Sequence, residues 1–300
     1  MKKTISVIFV LLAGVLLLRA EWWDDSSYNW DKARKLDDGI RYGSLKKTSP
    51  RLMRMWVMRV DLKKNYKFAT SKKAAEYGQK IPTHPHLVIH TKRQKTVDFM
   101  TEAQNKNINM IAAFNASGWA PWDKTPSIYA TNLGLLISDG VVVSPKRSDR
   151  PSFLFHKDGR VELRKVKDGE DLSDITHAVT CFHSVLNDGK IAEIRNGNYL
   201  APRTGIGLSA DRRYMYFAVI DGRQKDFSMG STIPEVGLIL KYLGADDGVN
   251  MDGGGSSSFV IWDKVEKKAK MLNHQPMGAI RPVGSSLGII KVKKEIKHHE

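Results

Sequence analysis

Apolar and polar side chains alternate from Met53 through Val60, the period of two that a half-buried strand requires. The spacing then predicts a helix from about Thr96 to Lys106, ended by an Asn-rich turn, and a buried strand from Ile108 to Phe114 that delivers Asn115 at its end. Turn pairs at Asp139-Gly140, Asp158-Gly159, Asp188-Gly189 and Ala210-Asp211 sit between β-type residues and predict hairpins. The run STIPEVGLILKYLG reads as a helix, with Ser231 as candidate N-cap, Pro234 in its first turn and Gly244 at its C-cap. Gly248 to Met251, Phe259 to Trp262 and Leu287 to Val292 complete the predicted strands, and no fixed-period repeat is present. Many strands and few helices in mixed order imply an α+β domain built on one large mixed, partly antiparallel sheet with a few packed helices.

The pattern changes at both ends. Lys2 and Lys3 precede an uncharged apolar segment, Ile5 to Leu18, too short for a comfortable span of ~20 residues, with the small Ala20 behind it. Residues 1–20 are therefore expected to be a signal peptide or an N-terminal anchor, and the protein to be exported: periplasmic, secreted or membrane-anchored. Residues 21–50, with Trp22, Trp23 and Trp30, read as a polar lead-in, residues 51–293 as the domain, and residues 294–300 as a charged tail. A composition of 41% hydrophobic and 27% charged residues excludes a disordered chain. Lys and Arg number 48 against 32 Asp and Glu, a net charge of +16 that favours anionic partners such as an envelope polymer. The basic residues are scattered in pairs, with no nucleic-acid-binding stripe. The single Cys181 cannot form an intramolecular disulfide.

Candidate chemistry gathers in the second half. In GVNMDGGGSSSFVI, a strand ends in Asp252, three glycines follow, and Ser256 opens a run of hydroxyls. A bare backbone at Gly253, Gly254 and Gly255 lets N–H groups approach an anion, and the carboxylate is an acid/base candidate; a solvated Asp beside a flexible turn is the bland alternative. No Walker spacing is present, since Lys264 comes too late. PRTGIGLSAD offers Arg203, suited to bidentate clamping of phosphate or carboxylate, beside Thr204, Gly205 and Gly207. AVIDGRQ ends a strand in Asp221 with Arg223 behind it, and Glu235 lies in the first turn of the predicted helix. Asp221, the helix and Asp252 together read as one crossover, whose parallel strands would bring both aspartates to a single edge. His84, His86 and His90 have no metal-site spacing, and Asp246-Asp247 reads as a polar turn, so no metal and no cofactor is expected.

In order, these pieces resemble the phosphodiester glycosidase family. Its pattern of R-T-x-x-G, a strand ending in D-G-R, a helix with an early Glu, a Leu-Gly turn and N-x-D-G-G-G-S is matched by Arg203-Thr204 with Gly207, Asp221 to Arg223, Glu235, Leu243-Gly244 and Asn250 to Ser256. Upstream, IAAFNASGW is similar to a family segment through Asn115, with Ala116 and Ser117 replacing the usual glycines; downstream, RPVGSSLGI resembles the closing segment in which an Arg precedes the last strand. The resemblance runs from about Met53 to Val292. It implies an exported hydrolase cleaving a sugar-1-phosphodiester or related glycosidic bond in an envelope or extracellular glycan. Asp252 would stand at the reacting centre with Glu235 or Asp221 as partner. Arg203, Thr204, Arg223, Asn115, Gly253, Gly254, Gly255 and Ser256 would bind substrate, and His183 would contact it. The alternative is a non-catalytic glycan-binding or exopolysaccharide-assembly protein that keeps the same fold.

Overall fold

The computed structural model describes residues 27–292 except 124, 195 and 277. The expected leader, Trp22, Trp23 and the charged tail lie outside the described residues. Among those described, no helix is long and apolar enough to cross a membrane.

Two antiparallel sheets stack face to face. The larger has eight strands in the order Arg34–Asp37, Ile40–Lys47, Met53–Asp61, Tyr214–Ile220, Arg203–Leu208, Asp247–Asn250, His183–Asn187 and Lys190–Ile191. The second has five: Lys268–Met271, Phe259–Asp263, Met110–Asn115, Ser286–Lys291 and Tyr66–Thr70. Alternation puts Met58, Val60, Ile206, Leu208 and Phe217 on the inner face of the larger sheet, where the Phe217 ring stacks on Phe114 at 4.2 Å and Phe114 meets Phe259 at 4.7 Å. A third sheet, containing Ser152–His156 and Ile175–Thr180, closes this core through Phe153, Phe155 and Val179.

One helix covers each outer face. Helix α1 (Thr96–Asn105) packs Met100 and Ala103 against Met110, Ala113 and Val260 of the five-stranded sheet. Helix α2 (Ile233–Leu243) lays Val236, Ile239, Leu240 and Leu243 on the larger sheet, against Met55, Val57, Ala218 and Val185. Its N-cap is Thr232, one residue beyond the expected Ser231, in a reciprocal capping box with Glu235, and Gly244 ends it at φ 106°.

The α+β expectation needs correction. The fold is predominantly β, every strand pair in the named ladders is antiparallel, and α1 and α2 are the two α-helices among the described residues. The expected crossover is present in altered form: Tyr214–Ile220 and Asp247–Asn250 run parallel, but Arg203–Leu208 lies between them, antiparallel to both. Their C-terminal ends still reach one edge. The polar lead-in is also more than a lead-in, because Arg34–Lys47 forms a hairpin through Asp38-Gly39 whose second strand, Ile40–Lys47, pairs along its whole length with residues 53–60. Trp30 packs on Tyr216, its indole N–H donating to the Leu243 carbonyl at the C-terminal end of α2, and Tyr28 N–H donates to the Tyr242 carbonyl there. At the same end Val292 N–H reaches the Asn65 carbonyl.

Helix α2 approaches the sheet closely because glycines leave room. A Cβ on Gly205 would stand 2.6 Å from Val236, one on Gly248 2.7 Å from Leu240, and one on Gly237 of the helix itself 2.3 Å from the Val185 carbonyl oxygen. Glycine in a helix interior ordinarily weakens it by about 1 kcal/mol relative to alanine. Here the sign reverses, because the methyl would meet backbone. Gly237→Ala is expected to lower stability by about 1–3 kcal/mol, read as a reduced urea midpoint at unchanged m-value.

Candidate functional site

Six element ends converge on one edge of the stacked sheets. Arg203 begins its strand opposite Ile220, Gly205 pairs with Asn250, His183 pairs with Asn250 from the other side, and Ser286 pairs with Asn115 across the five-stranded sheet. The Asn115 side chain, 1% exposed, ties these ends together. Its Oδ1 accepts from the Thr204 hydroxyl at 2.8 Å and the Ser258 N–H at 2.9 Å, while its Nδ2 donates to the Asp252 carbonyl at 2.7 Å. The backbone adds Asp252 N–H to the Ala116 carbonyl and Met251 N–H to the Thr204 carbonyl. Asn115 and Thr204 therefore position the site, rather than contacting substrate as expected.

The glycine run is shaped by what lies against it. Gly253 N–H donates to Asp252 Oδ1 at 3.0 Å and Gly254 N–H to the Pro202 carbonyl at 2.8 Å, so these two amides are not bare anion donors. The glycines instead make room. Gly254 adopts φ 63°, and a Cβ there would lie 3.2 Å from Arg223 Nη1; a Cβ on Gly255 would lie 2.7 Å from Arg281 Cζ, and one on Gly253 2.8 Å from the Pro202 carbonyl. Two guanidiniums thus rest on the turn beside Asp252. Gly205 and Gly207 likewise serve packing, since a Cβ on Gly207 would stand 2.7 Å from that of Ala245.

Burial pushes the half-buried Asp252 carboxyl up to about 6, against the opposing pull of the Ser256 hydroxyl, the Gly253 N–H, the Arg281 charge and the Trp119 indole N–H. Arg203, 4% exposed, has no carboxylate partner: Nε donates to the Ser231 carbonyl at 3.2 Å, Nη2 to the Tyr199 carbonyl at 2.9 Å, and its face lies 4.5 Å from the Tyr199 ring centroid. Among the described residues, Arg150, Arg223 and Arg281 make no ion pair either. The other end of the sheet is built differently. A cavity of about 590 Å³ there is lined by Arg160, Arg164, Arg212 and Arg213, but they pair with Glu162, Glu170, Asp247 and Asp61 respectively. Unpaired cations beside a carboxylate that resists ionising mark the Asp252 edge as the candidate site.

Other expected residues are engaged elsewhere. Asp221, 2% exposed, accepts from His274 N–H at 2.7 Å and Asn273 Nδ2 at 3.4 Å, anchoring the 273–274 segment, and burial pushes it too up to about 6. Glu235 gives its carboxylate to the Thr232 N–H at 2.7 Å and to an ion pair with Arg51. Neither offers a free carboxylate to the edge, which corrects their expected part as Asp252's partner. His183 is exposed at the edge, its pKa lowered by burial and by Arg150 and Arg203. His84 pairs with Asp123, and buried His90 accepts from Asn132 N–H. Asp246 and Asp247 cluster with Asp188 at the far end, and Asp247 is paired with Arg212. Arg281 and Trp119 were the misses: both lie in stretches already similar to the family pattern, but neither has a spacing that marks it as facing Asp252.

The stacked sheets and this edge define a class of β-sheet domain with unpaired guanidiniums gathered beside one protonatable carboxylate. The chain belongs to the phosphodiester glycosidase family, whose model matches residues 86–290. Its fold is similar to the zebrafish N-acetylglucosamine-1-phosphodiester alpha-N-acetylglucosaminidase catalytic domain, auto-inhibited by its pro-peptide, at 16% identity and TM-score 0.57, with 87% of each chain covered. It is also similar to a hypothetical protein from Synechocystis (11% identity, TM-score 0.61), covering 85% of this chain and 63% of that one. A Burkholderia pseudomallei protein described as exported is similar at 14% identity and TM-score 0.54, covering 79% of this chain and 74% of that one. No curated protein matches the sequence.

Asn115→Ala would strand three buried partners, and a loss of about 2–4 kcal/mol in chemical denaturation is expected. For Asp252, the folded value near 6 exceeds the unfolded 3.8, so its stabilising share is full below 3.8 and lost as pH rises through 6. Asp252→Asn, which keeps an acceptor for the Gly253 N–H, should therefore melt higher than wild type at pH 8 and lose that advantage at pH 4 in calorimetric scans.

Proposed function

We propose that the protein hydrolyses a sugar-1-phosphodiester, or a closely related glycosidic bond, in an exported or envelope glycan. The observation that carries this reading is the set of unpaired guanidiniums of Arg203, Arg223 and Arg281 around the partly accessible carboxylate of Asp252. A phosphodiester would take the place that carboxylates fill at the far end of the sheet. Arginine suits it, because the planar fork matches phosphate oxygens and is always charged. As the bond to the anomeric carbon breaks, charge grows on the departing phosphate, where fixed cations stabilise it. Such a leaving group needs little protonation, so the reaction can proceed with Asp221 and Glu235 occupied elsewhere. Asp252, ionised above about pH 6, then acts on the anomeric side, as base toward water or as the group facing the developing oxocarbenium. His183 contributes polar contacts to the sugar, and the buried Ser256 hydroxyl supports Asp252 from behind. Export is supported by the apolar N-terminal stretch and by the likeness to an exported protein.

A second reading, a glycan-binding protein without turnover, draws support from the sealed Asp221 and the capped Glu235. Hydrolysis decides between them. Wild-type protein is expected to release free sugar from a sugar-1-phosphodiester panel, with a rate that rises through pH 6 as Asp252 ionises. Asp252→Asn should reduce it by about 10²–10⁴-fold while remaining folded by circular dichroism. Binding of the panel without release of sugar by wild type would establish the second reading.

A further inference from the structure

Beside the Asp252 edge, one wall carries cations and aromatic faces in alternation. Arg150 lies over the Phe182 ring at 5.0 Å from its centroid, the Phe182 and His183 rings are near-parallel at 6.5 Å, and Arg203 lies over Tyr199 at 4.5 Å. The wall is fixed from behind. Phe182 N–H donates to the Asn250 carbonyl at 2.9 Å, Cys181 N–H holds the Pro151 carbonyl at 3.1 Å, and Phe182 occupies the space that a side chain on Gly118 would need, 2.2 Å from its Cβ position. Tyr199 is 58% exposed despite its size. Arg150 is part-exposed and pairs with no carboxylate among the described residues, whereas Lys146 on the same loop is neutralised by Asp149 and Asp168.

Aromatic faces suit the apolar face of a sugar ring, and an unpaired guanidinium suits an oxyanion. We propose that Arg150, Phe182 and His183, with Arg203 and Tyr199 alongside, form a second subsite that binds a negatively charged sugar residue, its acidic group held by Arg150, next to the residue whose linkage faces Asp252. The substrate is then an acidic glycan of at least two residues. This inference rests on the reading of the Asp252 edge as a glycan site. Burial and, after it, the charges of Arg150 and Arg203 lower the His183 pKa, which places both arginines within electrostatic reach of the imidazole.

The test is calorimetric titration with oligogalacturonate and with its methyl ester of equal length, whose carboxyl groups are capped as neutral esters. Wild type should bind the acid about tenfold more tightly. Arg150→Gln should erase that preference and Lys146→Gln should keep it. A sulfated oligosaccharide of the same length forms a third arm: tighter Arg150-dependent binding would make a sulfate- or phosphate-type ester, rather than a carboxylate, the preferred anion. Equal binding of acid and ester, no binding of any of the three, or a preference that survives Arg150→Gln would overturn the subsite. Hydrolysis of a neutral-sugar 1-phosphodiester by wild type is measured separately. Its absence alongside an Arg150-dependent preference would remove the catalytic reading and leave the subsite standing.

Discussion

One buried amide holds the site edge together. Asn115 ends a strand of one sheet, and its side chain reaches Thr204 in the other sheet, the Asp252 carbonyl and the Ser258 N–H. Few side chains could replace it. An amide both donates and accepts, so it can bridge a carbonyl on one side and two donors on the other without burying a charge. Stacked sheets can otherwise slide over greasy faces such as Phe114 on Phe217, because hydrophobic contact is non-directional. The amide supplies the direction, and every group at the edge inherits its position from it.

On that fixed edge the electrostatics are unbalanced by design of the chain. At the opposite end of the sheet Arg160, Arg164, Arg212 and Arg213 each have a carboxylate within reach; around Asp252, Arg203, Arg223 and Arg281 have none among the described residues. Burying a guanidinium such as Arg203 without a counter-ion is costly, and the carbonyls of Ser231 and Tyr199 offset only part of that. Arg203 therefore stands buried with two carbonyls and the Tyr199 face as partners, while burial holds back the ionisation of the nearby Asp252.

Much of this was legible in the sequence where local chemistry dictates geometry. Asp-Gly turns at 139–140, 158–159 and 188–189 placed hairpins correctly, and the Thr232-to-Gly244 helix carries its start and stop signals in its own residues. The same signal at Asp38-Gly39 was overlooked amid polar neighbours, although that hairpin forms the sheet edge. Asp252 and Arg203 were readable because they flank strand ends. What could not be read is which partner a side chain finds across the fold. Glu235 satisfies its own helix terminus, Asp221 pins a segment some fifty residues later in the chain, and the glycines after Asp252 admit arginines instead of offering amides. Local sequence gives no hint of such choices, because long-range packing makes them.

Tyr28 and Trp30 at one end of the described chain, and Val292 at the other, both sit at the pole where helix α2 finishes, while Asp252 lies where it starts. Seen as a mechanical object, the described chain has both its ends at one pole and the Asp252 edge at the other. A pull applied at the two described ends would load the strands along their length and leave the Asp252 edge outside the loaded path.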